Sequence, residues 1–241
     1  MHHSPRLVLL GGGLLAFGAA FANTGVFLEA GASISHLTGD ISRLSIDLAK
    51  ASSADTTPEI ARVLTAALSF LLGAGLGGLL IHHPVLDLAR PYGRTICGIG
   101  VMLIAAAWWM PRQPVGAIGL SALACGLQNS LATRYRGLVL RTTHLTGLFT
   151  DLGVNLGMRL RGYDIPGWKI AVPTLLIGAF FAGGILAGWV ALEDRHNPLL
   201  LGGIGYLVAG LAWTVLKHVI RPDFLEPHPG IASERERGVD E

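Results

Sequence analysis

Residues 35–39 read Ser35-His36-Leu37-Thr38-Gly39, and residues 143–147 read Thr143-His144-Leu145-Thr146-Gly147. A five-residue coincidence would be weak alone, but its surroundings recur in the same order. Ala22-Asn23-Thr24 precedes the first copy as Gln128-Asn129-Ser130 precedes the second. Phe70, Gly73 and Gly77 follow the first as Phe181, Gly184 and Gly188 follow the second. Gly98-Ile99-Gly100 with Trp108 then answers to Gly203-Ile204-Gly205 with Trp213. All four matches keep an offset between 105 and 111, so two related halves are expected.

The medium of those halves follows from composition. Of 241 residues, 51% are hydrophobic and only 14% charged, with a mean hydropathy of +0.53. Soluble domains carry about 25% charged residues, too many more for this chain to face water all round. The 33 glycines suit close-packed membrane helices. A net charge of +2 argues for no charged partner, and the arginines of the C-terminal tail alternate with glutamates, so no nucleic acid is expected. Cys97 and Cys125 lie in apolar stretches without metal-ligand spacing, and His2 and His3 are too few for a site, so neither metal nor cofactor is expected.

A helix crossing a bilayer needs about 20 mostly apolar residues. Six stretches meet or approach that length: Leu7–Leu28, Val63–Ile81, Thr95–Pro111, Gln113–Thr133, Ile170–Leu192 and Asn197–Leu216. None contains Asp, Glu, Lys or Arg. The first runs past signal-peptide length and is read as a span. Pro111-Arg112-Gln113-Pro114 marks the stop and start between the third and fourth. Placing the N-terminus in the cytoplasm puts 13 of the Lys and Arg residues inside and 5 outside, the bias of a protein with both termini cytoplasmic. Trp108, Trp109, Trp168 and Trp189 fall near span ends, where aromatic belts form. The expected architecture is therefore an all-α integral membrane protein, one transmembrane domain over 1–221 with a flexible cytoplasmic tail over 222–241. Repeat one covers 6–111 and repeat two 113–220. Three spans per half is odd, so the halves would be inverted, a ground plan of secondary transporters. Gly73 and Gly77, with Gly184 and Gly188, permit close helix approach within the chain or at a homodimer seam.

Each repeated motif lies between the first and second span of its half, in Thr24–Arg62 and Arg134–Trp168. Each such segment opens with residues that need not be helical, Gly25–Glu29 and Gly137–Arg141. Each then turns helical after the motif: Ile41, Leu44 and Leu48 recur at helical spacing, as do Leu148, Leu152, Leu156 and Leu160. Thr38 and Thr146 are expected as N-caps, each followed by glycine, Gly39 and Gly147. A helix that begins inside the bilayer presents unpaired N–H groups and a positive dipole end. Two such starts, one re-entrant from each side, would build a solute site near the midplane. An ordinary loop-to-helix junction is the competing reading, favoured by the polarity of Asp40, Arg43, Asp47 and Lys50.

His36 and His144 occupy equivalent positions and would serve as proton carriers or polar ligands, or as caps. Asp40, Gln128, Asn129 and Thr143 complete the expected site. Arg43 falls opposite Asp151 in the repeat, a pair that could gate, and Glu29 and Arg141 stand at comparable places before the motifs. Asn23, Gln128 and Asn129 could face a cavity or bond neighbouring helices.

At these residues the chain resembles the YoaK family of bacterial membrane proteins. The resemblance rests on Ser35-His36-Leu37-Thr38-Gly39-Asp40, on Cys125-Gly126-Leu127-Gln128-Asn129-Ser130 and on Arg141-Thr142-Thr143-His144-Leu145-Thr146-Gly147. It departs at Leu37, where Met is usual, and at Asp40, where Asn is usual. It implies a multi-pass protein of the bacterial inner membrane and brings no substrate. Neither HExxH nor GxSxG is present, so an enzyme is not expected. The function expected is transport or channelling of a small polar or anionic solute, with a membrane scaffold or assembly protein as the alternative.

Overall fold

The computed structural model describes residues 5–49, 57–80, 92–131, 134–135, 138–139, 142–193 and 196–220. The tail expected at 222–241 lies outside them. Eight α-helices account for nearly all of the described residues. They are α1 (Pro5–Ala30), α2 (Leu37–Ala49), α3 (Thr57–Leu80), α4 (Tyr92–Trp109), α5 (Pro114–Leu131), α6 (Leu145–Leu160), α7 (Trp168–Leu192) and α8 (Pro198–Val215). A two-residue antiparallel ladder, β1 (Arg134–Tyr135) with β2 (Leu138–Val139), follows α5. The last turn of α8 widens into a π-helix at Leu216–Ile220.

Five helices, α1, α3, α4, α7 and α8, are long and apolar enough to cross a membrane. The stretch expected as the fourth span is α5, which is not among them. Gln128 and Asn129 lower the apolarity of its last turn, and it is the best enclosed helix, with 11 of 18 residues buried. Enclosure by protein removes the need for an unbroken apolar surface. The outermost helices show the opposite pattern. On α3 and α7, Leu71, Leu79, Ile185 and Trp189 are 54–85% exposed. No water-soluble fold leaves so much large apolar surface uncovered. Gly25–Glu29, read as a stretch that need not be helical, continues α1 to Ala30, and Gly25 lets the backbone of α8 approach at Leu199.

Glycines set the helix pairs and reveal their directions. Between α3 and α5, Gly119 faces Thr65 and Ser69, Gly126 faces Phe70 and Ala74, and Gly77 faces Ser130. Both series rise together, so these helices run parallel. Between α1 and α7, Gly12 faces Leu176, Gly183 faces Phe17 and Gly184 faces Thr24, again parallel. Between α4 and α8 the series oppose each other. A Cβ on Gly100 would lie 2.7 Å from the Gly203 carbonyl oxygen, and one on Gly210 would lie 2.7 Å from that of Gly93. The α1–α8 pair is also antiparallel, with Gly25 at Leu199 and Gly18 at Tyr206. The helices therefore stand in the order α3, α5, α4, α8, α1, α7, each packed on the next.

The surroundings of these glycines recur at a fixed spacing. Gly93 meets the Gly210 carbonyl and Thr214, and Gly203 meets the Gly100 carbonyl and Ile104. Gly73 meets the Leu123 carbonyl, and Gly183 meets the Phe17 carbonyl. Gly73 thus answers to Gly183 and Gly93 to Gly203, an offset of 110 in both. This corrects the expected registers. Gly184 and Gly188 are not the counterparts of Gly73 and Gly77, and Gly188 has nothing within 4 Å of its Cβ position. Nor does Gly98-Ile99-Gly100 share the surroundings of Gly203-Ile204-Gly205: Gly203 is matched by Gly93, five positions earlier, and Gly98 and Gly205 meet nothing within 4 Å. The one-position slip at Gly184 arose from a run of glycines at 183 and 184, which sequence alone cannot place in register.

Candidate functional site

After α1 ends, the chain turns at Gly31, whose φ is +64°, and comes back along α1. Asn23 receives it there. Its Oδ1 accepts from the Ser33 hydroxyl at 3.0 Å, the Ile34 N–H at 3.0 Å and the Ser35 hydroxyl at 3.1 Å. Asn23 lies about 10 Å short of the end of α1, at 1.5 Å per residue. The segment 31–36 is thus a descent, not a surface loop. Ser33 then closes the start of α2, its hydroxyl accepting from the His36 N–H at 3.0 Å. The His36 ring meets Phe180 edge-on at 5.6 Å between centroids, halfway along α7.

The second copy is held in the same way. The Thr143 hydroxyl donates to Asn129 Oδ1 at 2.7 Å, as Ser35 does to Asn23. The helix that follows again begins at the leucine of the motif, Leu145 answering to Leu37. Leu148 of α6 packs with Ala16, Val172, Leu176 and Ile177. The starts of α2 and α6 therefore reach the middle third of α7 from its two ends.

The helix caps differ from expectation. Thr38 and Thr146 lie one residue inside their helices and are exposed. The N-cap of α6 is His144, with no side-chain hydrogen bond to the helix. Its ring bends back over the first turn, so a Cβ on Gly147 would sit 2.7 Å from His144 Nδ1. Gly39 has open space instead, because His36 leans on Phe180. The threonines cannot cap because helix geometry is already reached at the preceding leucine. Their neighbours Ser42 and Thr150 bond back to the Thr38 and Thr146 carbonyls at 2.8 and 3.0 Å.

Of the described charged candidates, Asp40 joins this region, whereas Arg43, Asp151 and Glu29 stand apart from it. Arg43 pairs with Glu59 at 3.4 Å and not with Asp151, which is exposed on α6. Asp40 accepts from the Ser33 N–H. Partial burial raises its carboxyl above the ordinary range, opposed by that hydrogen bond and by Arg43. Glu29 hydrogen-bonds Asn197 at the start of α8. Arg141 lies outside the described residues. Among the described residues no group of acidic, His or Cys side chains has the arrangement of a metal site.

Gln128 is where sequence reasoning fell short. It is 2% exposed and joins four segments. Its Nε2 donates to the Leu15 carbonyl at 2.8 Å and to the Thr142 hydroxyl at 3.1 Å. Its Oε1 accepts from the Tyr206 hydroxyl of α8. Tyr206 and Thr142 were not anticipated. A lone tyrosine in the apolar run of α8 was the available signal, since a buried tyrosine hydroxyl needs a partner. Gly18 leaves room for it: a Cβ there would lie 2.8 Å from the Tyr206 oxygen. The buried polar side chains described are Ser33, Ser121, Gln128, Thr142, Thr143 and Lys217. Apart from Lys217 at the end of α8, these are hydroxyls and one amide, with no carboxylate.

No curated protein and no solved structure matches this chain. The family model described as proteins of unknown function, DUF1275, matches residues 12–212, and YoaK-like proteins are members of it. From α1 almost to the end of α8, the match takes in both motifs and both asparagine-held segments, and the chain belongs to the DUF1275 family.

Proposed function

We propose that the protein is a secondary transporter or channel for a small polar or anionic solute. In this reading six helices, α1, α3, α4, α5, α7 and α8, cross the membrane as two inverted halves of three. The segments around α2 and α6 are re-entrant. The observation that carries it is the pair of chain reversals held by Asn23 and Asn129, each starting a helix beside the middle of α7. Irregular backbone at that depth is stable only where protein encloses it or water reaches it. Helix starts present N–H groups to a ligand, and α6 has no side-chain cap. The absence of a buried carboxylate among the described residues suits an anion or a neutral hydrogen-bonding solute. The directions of the helix pairs suit inversion, since α4 and α8 oppose each other while α1 and α7 agree. The excess of inner Lys and Arg supports cytoplasmic termini in a bacterial inner membrane. No catalytic role is assigned to any residue.

The test is thermal stabilisation of the purified protein against small anions, nucleobases and neutral metabolites, with His36→Ala plus His144→Ala as the comparison variant. A ligand that raises the Tm of the wild type but not of the variant, and then crosses proteoliposomes containing the wild type, supports transport at the motif. If no compound shifts the Tm of a normally folded wild type, the scaffold reading takes its place.

A further inference from the structure

The two re-entrant segments are held alike by their asparagines but, among the described residues, differ in their other side-chain bonds. In the second half, Gln128 bonds Thr142 of its own segment, Tyr206 of α8 and the Leu15 carbonyl of α1. At the corresponding places of the first half stand Ala22 for Gln128, Ile34 for Thr142 and Ile96 for Tyr206. None of these side chains can hydrogen-bond. Among the described residues the first segment's bonds run to Asn23, to Asp40 and within the segment itself, all inside the first half. The second is tied through one amide to helices of both halves. At Leu15 the partner of that amide is a backbone carbonyl within a helix, so the tie does not depend on a flexible side chain. Across the same contact, the position answering to Leu15 is Ser121, whose fully buried hydroxyl has no partner.

We propose that the segments are unequal gates: Gln128 clamps the second to both halves, and the first, whose bonds among the described residues run only within its own half, to Asn23 and Asp40, is the one that opens. The idea rests on the inverted-repeat reading above. Opening the first segment leaves every Gln128 bond intact. Opening the second breaks the Thr142 bond at once and leaves a buried amide short of a partner, which is costly in a low-dielectric interior. The three positions therefore bias an otherwise symmetric frame toward motion at one end. Gln128, Thr142 and Tyr206 are positioning residues, not solute contacts.

Hydrogen–deuterium exchange of the full-length protein in detergent micelles or nanodiscs, without any solute, tests this apart from transport. In the wild type, peptides covering 31–37 are expected to exchange at least ten-fold faster than those covering 142–148. Tyr206→Phe and Thr142→Val should each speed exchange at 142–148 by about ten-fold, the worth of one buried hydrogen bond, and leave 31–37 unchanged. Asn23→Ala should do the reverse. Equal exchange of the two segments in the wild type would overturn the proposal, and so would variants that loosen both segments together or neither. A failed ligand search would leave these results standing, and a failed exchange test would leave transport at the motif open.

Discussion

At the residue scale, two asparagines of one type carry different loads. Asn23 Oδ1 serves three donors, and Asn129 Oδ1 serves one from the re-entrant chain. Removing an acceptor leaves each buried donor unsatisfied, at about 1 kcal/mol or more apiece. Asn23→Ala should therefore destabilise by about 2–3 kcal/mol and Asn129→Ala by about 1 kcal/mol. Thermal unfolding in one detergent, both variants side by side, checks the order; a larger loss at Asn129 would mean that the Asn23 bonds are not formed in solution. The sequence pointed to both residues, since polar groups late in apolar spans must find partners. It could not tell that the partners would be Ser33, Ile34 and Ser35 rather than a solute, because nothing local fixes where a loop returns. The histidines illustrate the same limit. His36 and His144 occupy one motif position, yet one packs on Phe180 and the other folds over Gly147. That difference is set by neighbours far along the chain.

At the scale of elements, glycines decide which helices meet. An alanine at Gly73 would drive its Cβ into the Leu123 carbonyl, and one at Gly183 into that of Phe17. Neither obstacle is a side chain that can turn away, so the helices must separate. Overpacking of this kind costs about 1–3 kcal/mol or more. At Gly188 nothing lies within 4 Å, and alanine there gains about 1 kcal/mol of helix propensity. Gly73→Ala and Gly183→Ala should lower the Tm, whereas Gly188→Ala should leave it unchanged or raise it. A drop at Gly188 matching that at Gly183 would show that α7 meets a further helix there, as a homodimer seam would. The existence of helices at all these places was legible from apolar length. Their registers were not: a Gly-Gly pair offers two faces to the same partner, and only the contact of Gly183 with α1 selects one. The α5 helix was also legible, although it is less apolar than the other five. Its Pro-Arg-Gln-Pro boundary reads clearly, and its polar last turn is what bonds Thr142 and Thr143 of the returning chain.

At the scale of the molecule, the decisive question is how many times the chain crosses the bilayer, and the helix directions turn it into a prediction that can be measured. The turn at Gln113 opens α5, and Gly162, with a φ of +87°, closes α6. If α6 is re-entrant, only α5 crosses between them, and the two positions lie on opposite faces. If α6 spans, two crossings separate them, and they share a face. Antiparallel packing of α4 with α8 favours the first case, because a full crossing by α6 between α5 and α7 would turn α8 parallel to α4. In the other half Gly31 and Pro58, on either side of α2, should share a face for the same reason. Single cysteines at these four positions, with Cys97 and Cys125 replaced by Ala, can be probed in intact cells with a membrane-impermeant maleimide. Gln113→Cys, Gly31→Cys and Pro58→Cys should react from outside, and Gly162→Cys only after the membrane is opened. Reaction of Gly162→Cys on the same face as Gln113→Cys would make α6 a full span, and if both react only after the membrane is opened, α2 spans as well and the halves are parallel. The cluster Arg134, Arg136 and Arg141 would in that last case face the exterior, against the rule that short cytoplasmic loops hold the excess of Lys and Arg.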